Sequence, residues 1–179
     1  ALALADLRFP LALKTAEDYA HKSDVGGVKL HLKDHAQATE AYHEMASRLG
    51  PRALFMEMVP SGVELAIGAV RDAGFGTVVL LSAGGVLIEL LDDKVAALAP
   101  FDQVTALGLI GELRIAKLLG GYRGQPAADL NALAHQISAF SHMAASLGDA
   151  ISEIDVNPVI CSDGGAFAAD CLIVRGITK

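Results

Sequence analysis

Acidic and amide side chains recur at every second position near the end of the chain. Glu153, Asp155 and Asn157 alternate with Ile and Val, which predicts a β-strand that carries the three polar side chains on one face. Residues 162–165 predict a tight turn, and the returning apolar segment carries one carboxylate, Asp170. Oxygen ligands gathered in this way suit a hard cation such as Mg²⁺, completed by water and phosphate. The same pattern also suits a solvent-facing strand that is simply acidic, and the residues alone leave both interpretations open.

Two other residues are candidates for contact with phosphate. Lys14 is the lysine of a short apolar predicted strand, residues 9–15, and a buried ammonium group needs an anionic partner. A phosphate would provide one, whereas a lysine at a strand edge can also reach solvent. His21 lies in a polar loop that ends in two glycines, whose amides can approach a phosphate closely. His21 alone is compatible with a base, a nucleophile or a surface residue.

A block of short predicted strands follows, between residues 53 and 91, and it holds single carboxylates among apolar residues. Glu57 is flanked by Met56 and Met58, against which a purine could lie, although methionines more often fill a core. Glu64 and Glu89 could contact ribose hydroxyls or a metal, or could point outward.

Composition limits the classes of protein to which the chain can belong. With 179 residues, 53% hydrophobic and 20% charged, the chain can bury a sizeable core and is not disordered. The net charge of −7 and the absence of Trp argue against a nucleic-acid partner. No apolar run reaches the ~18 residues of a membrane span, so no membrane association is predicted. Cys161 and Cys171 have no metal-ligand spacing, and reduced thiols predict a cytoplasmic protein.

The remaining pattern predicts an α+β fold, because strands are grouped with strands and helices with helices. A helix begins after Asp34 and ends at Gly50, and two more are predicted over residues 103–119 and 128–147. The first residues lack the features of a signal peptide and resemble the tail of a helix, so we expect the chain to begin inside a structural unit.

Several motifs occur in a specific order along almost the whole chain. This ordered set resembles the ATP-grasp domain of the NDP-forming acyl-CoA synthetases, which include ADP-forming acetate–CoA ligases and relatives of succinyl-CoA synthetase. The resemblance implies two α+β lobes with a nucleotide between them, and we assign residues 1–52 to a partial first lobe and residues 53–179 to the second. The motifs are Leu11-Ala-Leu-Lys14, residues 21–28 (HKSDVGGV), residues 58–65 (MVPSGVEL), residues 76–89, Gly121-Tyr-Arg-Gly124 and residues 153–158 (EIDVNP).

The resemblance also implies roles for individual residues. Lys14 matches a lysine that contacts nucleotide phosphates, Glu57-Met58 matches the hinge whose backbone binds adenine, and Glu64 matches a residue facing the ribose. Asn157 and Asp170 match the Mg²⁺ ligands. The implied cofactors are therefore ATP or ADP and Mg²⁺.

His21 matches a histidine that carries a phosphoryl group in members with two such histidines. Those enzymes interconvert acyl-CoA, ADP and phosphate with carboxylate, CoA and ATP. The implied partners are CoA-binding and ligase domains, in the same chain or a partner subunit, within a homo- or hetero-oligomer. Since this chain lacks those domains, we expect it to be inactive alone.

Two departures from the family pattern bear on activity. Ala97 stands where the family usually has an arginine, so we expect a phosphate-clamping cation to be missing. The helix and strand that open the family's domain are also absent, so we expect a truncated N-terminal part. These departures leave open an alternative function, that of a non-catalytic regulatory or interaction module that retains the fold.

Overall fold

The computed structural model describes residues 4, 6–19, 22, 24–85 and 92–176. The chain divides into two compact units, Ala1–Met58 and Val59–Lys179, which we call the first and second units. His21 and Glu89 lie outside the described residues, as does the strand predicted over residues 86–91.

The first unit is a small antiparallel sheet with one helix packed on it. Its strand order is β2-β1-β3. The helix begins as predicted, because the Asp34 carboxylate accepts a hydrogen bond from the Gln37 amide at 2.9 Å. Gly50, at φ 112°, ends it. The elements are β1 (Leu11–Thr15), β2 (Val28–Leu32), α1 (His35–Leu49) and β3 (Ala53–Glu57).

The core of the first unit lies between α1 and one face of the sheet. Leu11 and Leu13 of β1 are fully buried there against the α1 residues Ala38, Ala41 and Met45. Side chains alternate along a strand, so Lys14 lies on the opposite face of β1, where it is half-buried.

The boundary between the units differs from the predicted one. β3 pairs with β1 in antiparallel register, from Thr15 opposite Ala53 to Leu11 opposite Glu57. Residues 53–58 therefore belong to the first unit, and the chain divides after Met58 rather than after Arg52. The prediction of lobes at 1–52 and 53–179 was wrong in this detail, because it grouped β3 with the strands that follow it in sequence.

The second unit contains a larger antiparallel sheet with the order β6-β5-β4-β7-β8, and β9 pairs with the other half of β7. The prediction did not include β6, whose run of alanines has little strand propensity. The strands are β4 (Val63–Asp72), β5 (Gly76–Ala83), β6 (Lys94–Leu98), β7 (Ile151–Ser162), β8 (Gly165–Ala168) and β9 (Leu172–Arg175).

The helices of the second unit are α2 (Gln103–Glu112), α3 (Ala116–Leu119) and α4 (Leu130–Leu147). The single helix predicted over residues 103–119 is therefore broken. The buried Asp93 carboxylate accepts hydrogen bonds from the amides of Arg114 at 2.9 Å and Ile115 at 2.8 Å, at the break. These amides thereby bond to a distant side chain rather than to the preceding turn.

The helices pack on one face of this sheet. The residues of this core include Leu65, Ile67, Val79, Leu81 and Ile154 of the sheet and Ala106, Leu109, Ile110, Leu133 and Ile137 of the helices. The other face, which we call the open face, exposes apolar side chains in the described part of the unit: Val70, Leu80 and Leu98 are 49%, 40% and 55% exposed.

A β-bulge interrupts the pairing of β7 with β4. Leu65 pairs with Val159, but Ile67 pairs with Val156, so Asn157 and Pro158 together lie opposite Ala66. Val156 and Val159 both belong to the helix-facing core. The two bulge residues consequently face the open side of the sheet.

Candidate functional site

The open face of the second unit carries the predicted polar residues of β4 and β7. The core positions Ile154 and Val156 alternate with Glu153, Asp155 and Asn157, which therefore share the open face, as the sequence predicted. Glu64 of β4 is exposed on the same face, opposite Ile160 of β7. The strand geometry thus groups three carboxylates and one amide on one side of the sheet.

Asp170 lies in the short connection between β8 and β9, not within a strand. Val159 pairs with Ala168 and Asp155 pairs with Leu172, so the same register places Asp170 across β7 from Asn157. The Asp170 carboxylate accepts a hydrogen bond from the Cys171 amide at 2.9 Å.

The carboxyl group of Asp155 is influenced by the neighbouring acidic groups. Burial, and then the carboxylates of Glu153 and Asp170, raise the pKa of Asp155 above its ordinary value. The family resemblance assigned the metal to Asn157 and Asp170 and gave Asp155 no role. The alternation of Asp155 with Asn157 along the strand was the signal in the sequence that placed both residues on one face.

The donors on this face fit a hard cation. A carboxylate and an amide oxygen, with a second carboxylate nearby, are the ligand types that Mg²⁺ takes. Among the described residues, no group of three or more His, Cys, Asp and Glu side chains is arranged as a complete metal site. The chain would therefore supply few ligands, and the remainder would be water or phosphate oxygens, as is usual for Mg²⁺ at nucleotide sites.

The first unit places its predicted nucleotide-binding residues on and beside β1. Lys14 lies opposite Leu54 of β3 and Val28 of β2. The Glu57 carboxylate accepts hydrogen bonds from Arg8, from its amide at 3.0 Å and from Nη2 at 3.1 Å, and this arginine holds the pKa of Glu57 below its ordinary value. Because its side chain is bonded to Arg8, Glu57 would contact a nucleotide base through its backbone.

The Met58 amide donates a hydrogen bond to the carbonyl oxygen of Pro10 at 3.1 Å. Any hydrogen bond from Met58 to a base would therefore use its carbonyl oxygen. The structure does not place His21, which lies outside the described residues.

Ala97 lies on the side of β6 that faces the helices. It packs with Val95 and Ala99 against the helix-facing core, whereas Lys94, Ala96 and Leu98 are exposed. A longer side chain at position 97 would begin on the helix side of β6. The expectation that a phosphate-clamping cation is missing at position 97 stays a prediction.

A cavity of about 390 Å³ lies elsewhere in the second unit. It is bounded by the start of β4, the end of β7 and the segment between α3 and α4, including Val63, Tyr122 and Cys161. Val63 and Cys161 are paired and pack with the helix-facing core, so this cavity is not part of the open face.

Comparison with known proteins identifies the family. The sequence matches the ATP-grasp domain over residues 1–174. The chain belongs to the ATP-grasp family. This confirms both the resemblance and the predicted α+β ATP-grasp fold.

The similar proteins are ADP-forming acid–CoA ligases. The ATP-grasp chain is 32% identical over 178 residues to acetate–CoA ligase (ADP-forming) I subunit beta of Pyrococcus furiosus, covering 94% of this chain and 76% of the subunit. It is 34% identical over 166 residues to 4-hydroxybutyrate–CoA ligase (ADP-forming) of Nitrosopumilus maritimus, covering 88% of this chain and 24% of the ligase. The chain thus corresponds to the ATP-grasp portion of larger enzymes.

A solved structure gives the same result. Dinucleotide-forming acetyl-coenzyme A synthetase 1 of Ca. Korarchaeum cryptofilum, in complex with coenzyme A and Mg-AMPPCP, superposes with a TM-score of 0.81 at 36% identity. The match covers 93% of this chain and 76% of that one. No helix among the described residues of the ATP-grasp chain is long and apolar enough to cross a membrane.

Proposed function

We propose that this chain is the nucleotide-binding and phosphoryl-transferring part of an ADP-forming acid–CoA ligase. The observation that carries the proposal is the position of Asp155 and Asn157 on one face of β7, with Asp170 across the strand from Asn157, in a chain whose relatives are such ligases. Ala97 was the feature that favoured a non-catalytic module, whereas the relatives named above, which are ligases, support the catalytic function.

In this proposal, Lys14 contacts phosphate, the backbone of Glu57-Met58 binds the base, and Glu64 faces the ribose. Asn157 and Asp170 hold Mg²⁺, with Asp155 beside them. When bound, Mg²⁺ would supply neutralisation of phosphate charge. The chain's own residues bind and orient the nucleotide, so that its terminal phosphate is presented in one position.

His21 remains the proposed phosphoryl carrier. In the reaction of this class, an unprotonated imidazole nitrogen of a first histidine, in the ligase domain, accepts the phosphoryl group of an acyl phosphate, and the carboxylate leaves. The phosphoryl group then passes to the His21 imidazole, which frees the first histidine. The terminal phosphate oxygen of ADP then takes the phosphoryl group, which restores the imidazole and forms ATP. Histidine's ordinary pKa of about 6.5 leaves a nitrogen unprotonated at neutral pH.

The partners we propose are CoA-binding and ligase domains, in the same chain or in another subunit of an oligomer. The named relatives support this, since one is a beta subunit and another is a single chain of which this sequence matches 24%. We also propose a cytoplasmic location.

Calorimetric titration of the protein with Mg·ADP tests the nucleotide and metal sites together. Lys14→Ala should weaken binding about tenfold to a hundredfold, because one charge-assisted phosphate contact is worth roughly 1.5–3 kcal/mol. Asp170→Ala should weaken binding of Mg·ADP much more than binding of metal-free ADP. Lys33→Ala, an exposed lysine before α1, is the matched control and should change neither. Equal affinities for all three variants would contradict the proposal.

A further inference from the structure

The end of β5 lies against the first residues of β4. Leu65 pairs with Ala83, and the Gly84 amide donates a hydrogen bond to the Glu64 carbonyl oxygen at 2.8 Å, so the antiparallel pairing continues by one residue beyond β5. A Cβ added at Gly84 would lie 2.6–2.7 Å from backbone atoms of Leu65. Glycine therefore allows the two backbones to approach closely at this point.

The next residue, Gly85, contacts the side chain of Glu64. Gly85 has a φ of +57°, in the left-handed region that glycine adopts without strain. A Cβ added at Gly85 would overlap the Glu64 Oε2 atom and would lie 3.1 Å from Glu64 Cδ. The Glu64 carboxylate thus occupies the space into which any side chain at position 85 would project.

The Glu64 carboxylate is available to a ligand on the open face. The side chain is exposed, and in the described part of the chain no group donates a hydrogen bond to its carboxylate oxygens. Glu57, by contrast, has its carboxylate bonded to Arg8. The direction of the Glu64 side chain therefore depends on packing, and Gly85 provides the space for it beside the end of β5.

We propose that Gly85 is a positioning residue for Glu64 and thereby determines the selectivity of this chain for ribonucleotides over deoxyribonucleotides. This inference rests on the proposed function, in which Glu64 faces the ribose. A carboxylate oxygen accepts a hydrogen bond from a hydroxyl group, and a site built to bond a hydroxyl rejects an analogue that lacks it. This rejection requires the carboxylate to lie within hydrogen-bond distance of the sugar.

The substitution Gly85→Ala should displace the carboxylate without unfolding the protein. The atom that the added methyl group meets is the end of a flexible side chain, which can turn away into solvent. The expected effect is therefore a loss of the contact with the ribose hydroxyl rather than a loss of the sheet.

Calorimetric titration of the full-length protein with the Mg²⁺ complexes of ADP, 2′-deoxy-ADP and 3′-deoxy-ADP measures this selectivity. The unaltered protein should bind at least one of the two deoxynucleotides about tenfold to a hundredfold more weakly than ADP, as expected for one hydrogen bond to a charged group. Gly85→Ala and Glu64→Ala should each reduce this ratio to about twofold or less, by weakening the binding of ADP. In the double variant E64A/G85A the ratio should fall no further, because both changes remove one contact.

Two further variants separate the position of the carboxylate from the backbone at residue 85. Glu64→Asp withdraws the carboxylate by one methylene group, leaves Gly85 intact and should also reduce the ratio. Gly148→Ala is the matched control, because Gly148 has a φ of +48° and a Cβ there meets no described atom within 4 Å. It should keep the ratio of the unaltered protein.

The titrations distinguish failure of this inference from failure of the proposed function. If the unaltered protein does not bind Mg·ADP, the proposed function fails and the inference fails with it. If it binds ADP and both deoxynucleotides equally, or if Gly85→Ala or Glu64→Asp keeps the full ratio, only the inference is overturned. Loss of the circular dichroism signal at 222 nm in Gly85→Ala also overturns it, because Gly85 would then be required for folding rather than for the position of Glu64.

Discussion

Replacement of Asp93 by alanine should be one of the most destabilising single changes in the second unit. The Asp93 carboxylate is 6% exposed and accepts two backbone hydrogen bonds, from Arg114 and Ile115 at 2.9 and 2.8 Å. A hydrogen bond to a charged group contributes about 1.5–3 kcal/mol, and a buried amide left without a partner costs about 1–3 kcal/mol. Solvent can enter where α2 ends, so we expect a loss of about 3 kcal/mol in the free energy of unfolding.

The exposed turn at Asp72 provides a matched control. Its carboxylate also accepts two amide hydrogen bonds, from Gly74 and Phe75, both at 2.8 Å, but it is exposed. Asp72→Ala should cost only about 0.5–1 kcal/mol, because water replaces the lost acceptor. Urea unfolding followed by circular dichroism at 222 nm measures both values. Equal losses for the two variants would refute the argument that burial makes the Asp93 contacts the stronger ones.

Three other residues give predictions of stability and reactivity. Gly84→Ala should destabilise the protein by about 1–3 kcal/mol in urea unfolding, because a Cβ there would lie 2.6–2.7 Å from backbone atoms of Leu65. Gly108→Ala should stabilise it by about 0.5–1 kcal/mol in the same assay, since the Cβ meets no described atom within 4 Å and alanine favours the helix. Burial raises the pKa of Cys161 to about 12, so its thiolate should be scarce at pH 8. A disulfide reagent at pH 8 should therefore modify the exposed Cys171 rapidly and Cys161 only after denaturation; rapid modification of both thiols would contradict this.

Local signals in the sequence predicted most of the elements. Asp34 and Gln37 marked the start of α1 correctly because a capping contact involves residues only a few positions apart. The break between α2 and α3 was missed because it depends on Asp93, which lies 21 residues before Arg114. The assignment of β3 to the second unit failed for a similar reason, since its partner β1 lies across the whole of α1.

The candidate site was predictable in part. Alternation along β7 correctly grouped Glu153, Asp155 and Asn157, but it could not reveal the extra residue at the bulge. No strand was predicted over β6, so the sequence could not show which face of the sheet Ala97 occupies. The type of a residue does not by itself show which face of the sheet its side chain occupies.

The bulge at Asn157-Pro158 has a consequence for how this chain can change in length. Strand side chains alternate, so deletion of one bulge residue would turn one half of β7 over, exchanging Val159 and Cys161 with the residues now facing outward. A deletion or insertion in the turn at Asp163-Gly164 changes no such alternation within β7. The spacing between Ile154 and Cys161 should therefore tolerate no single-residue change during evolution, while the length of the following turn remains free to vary.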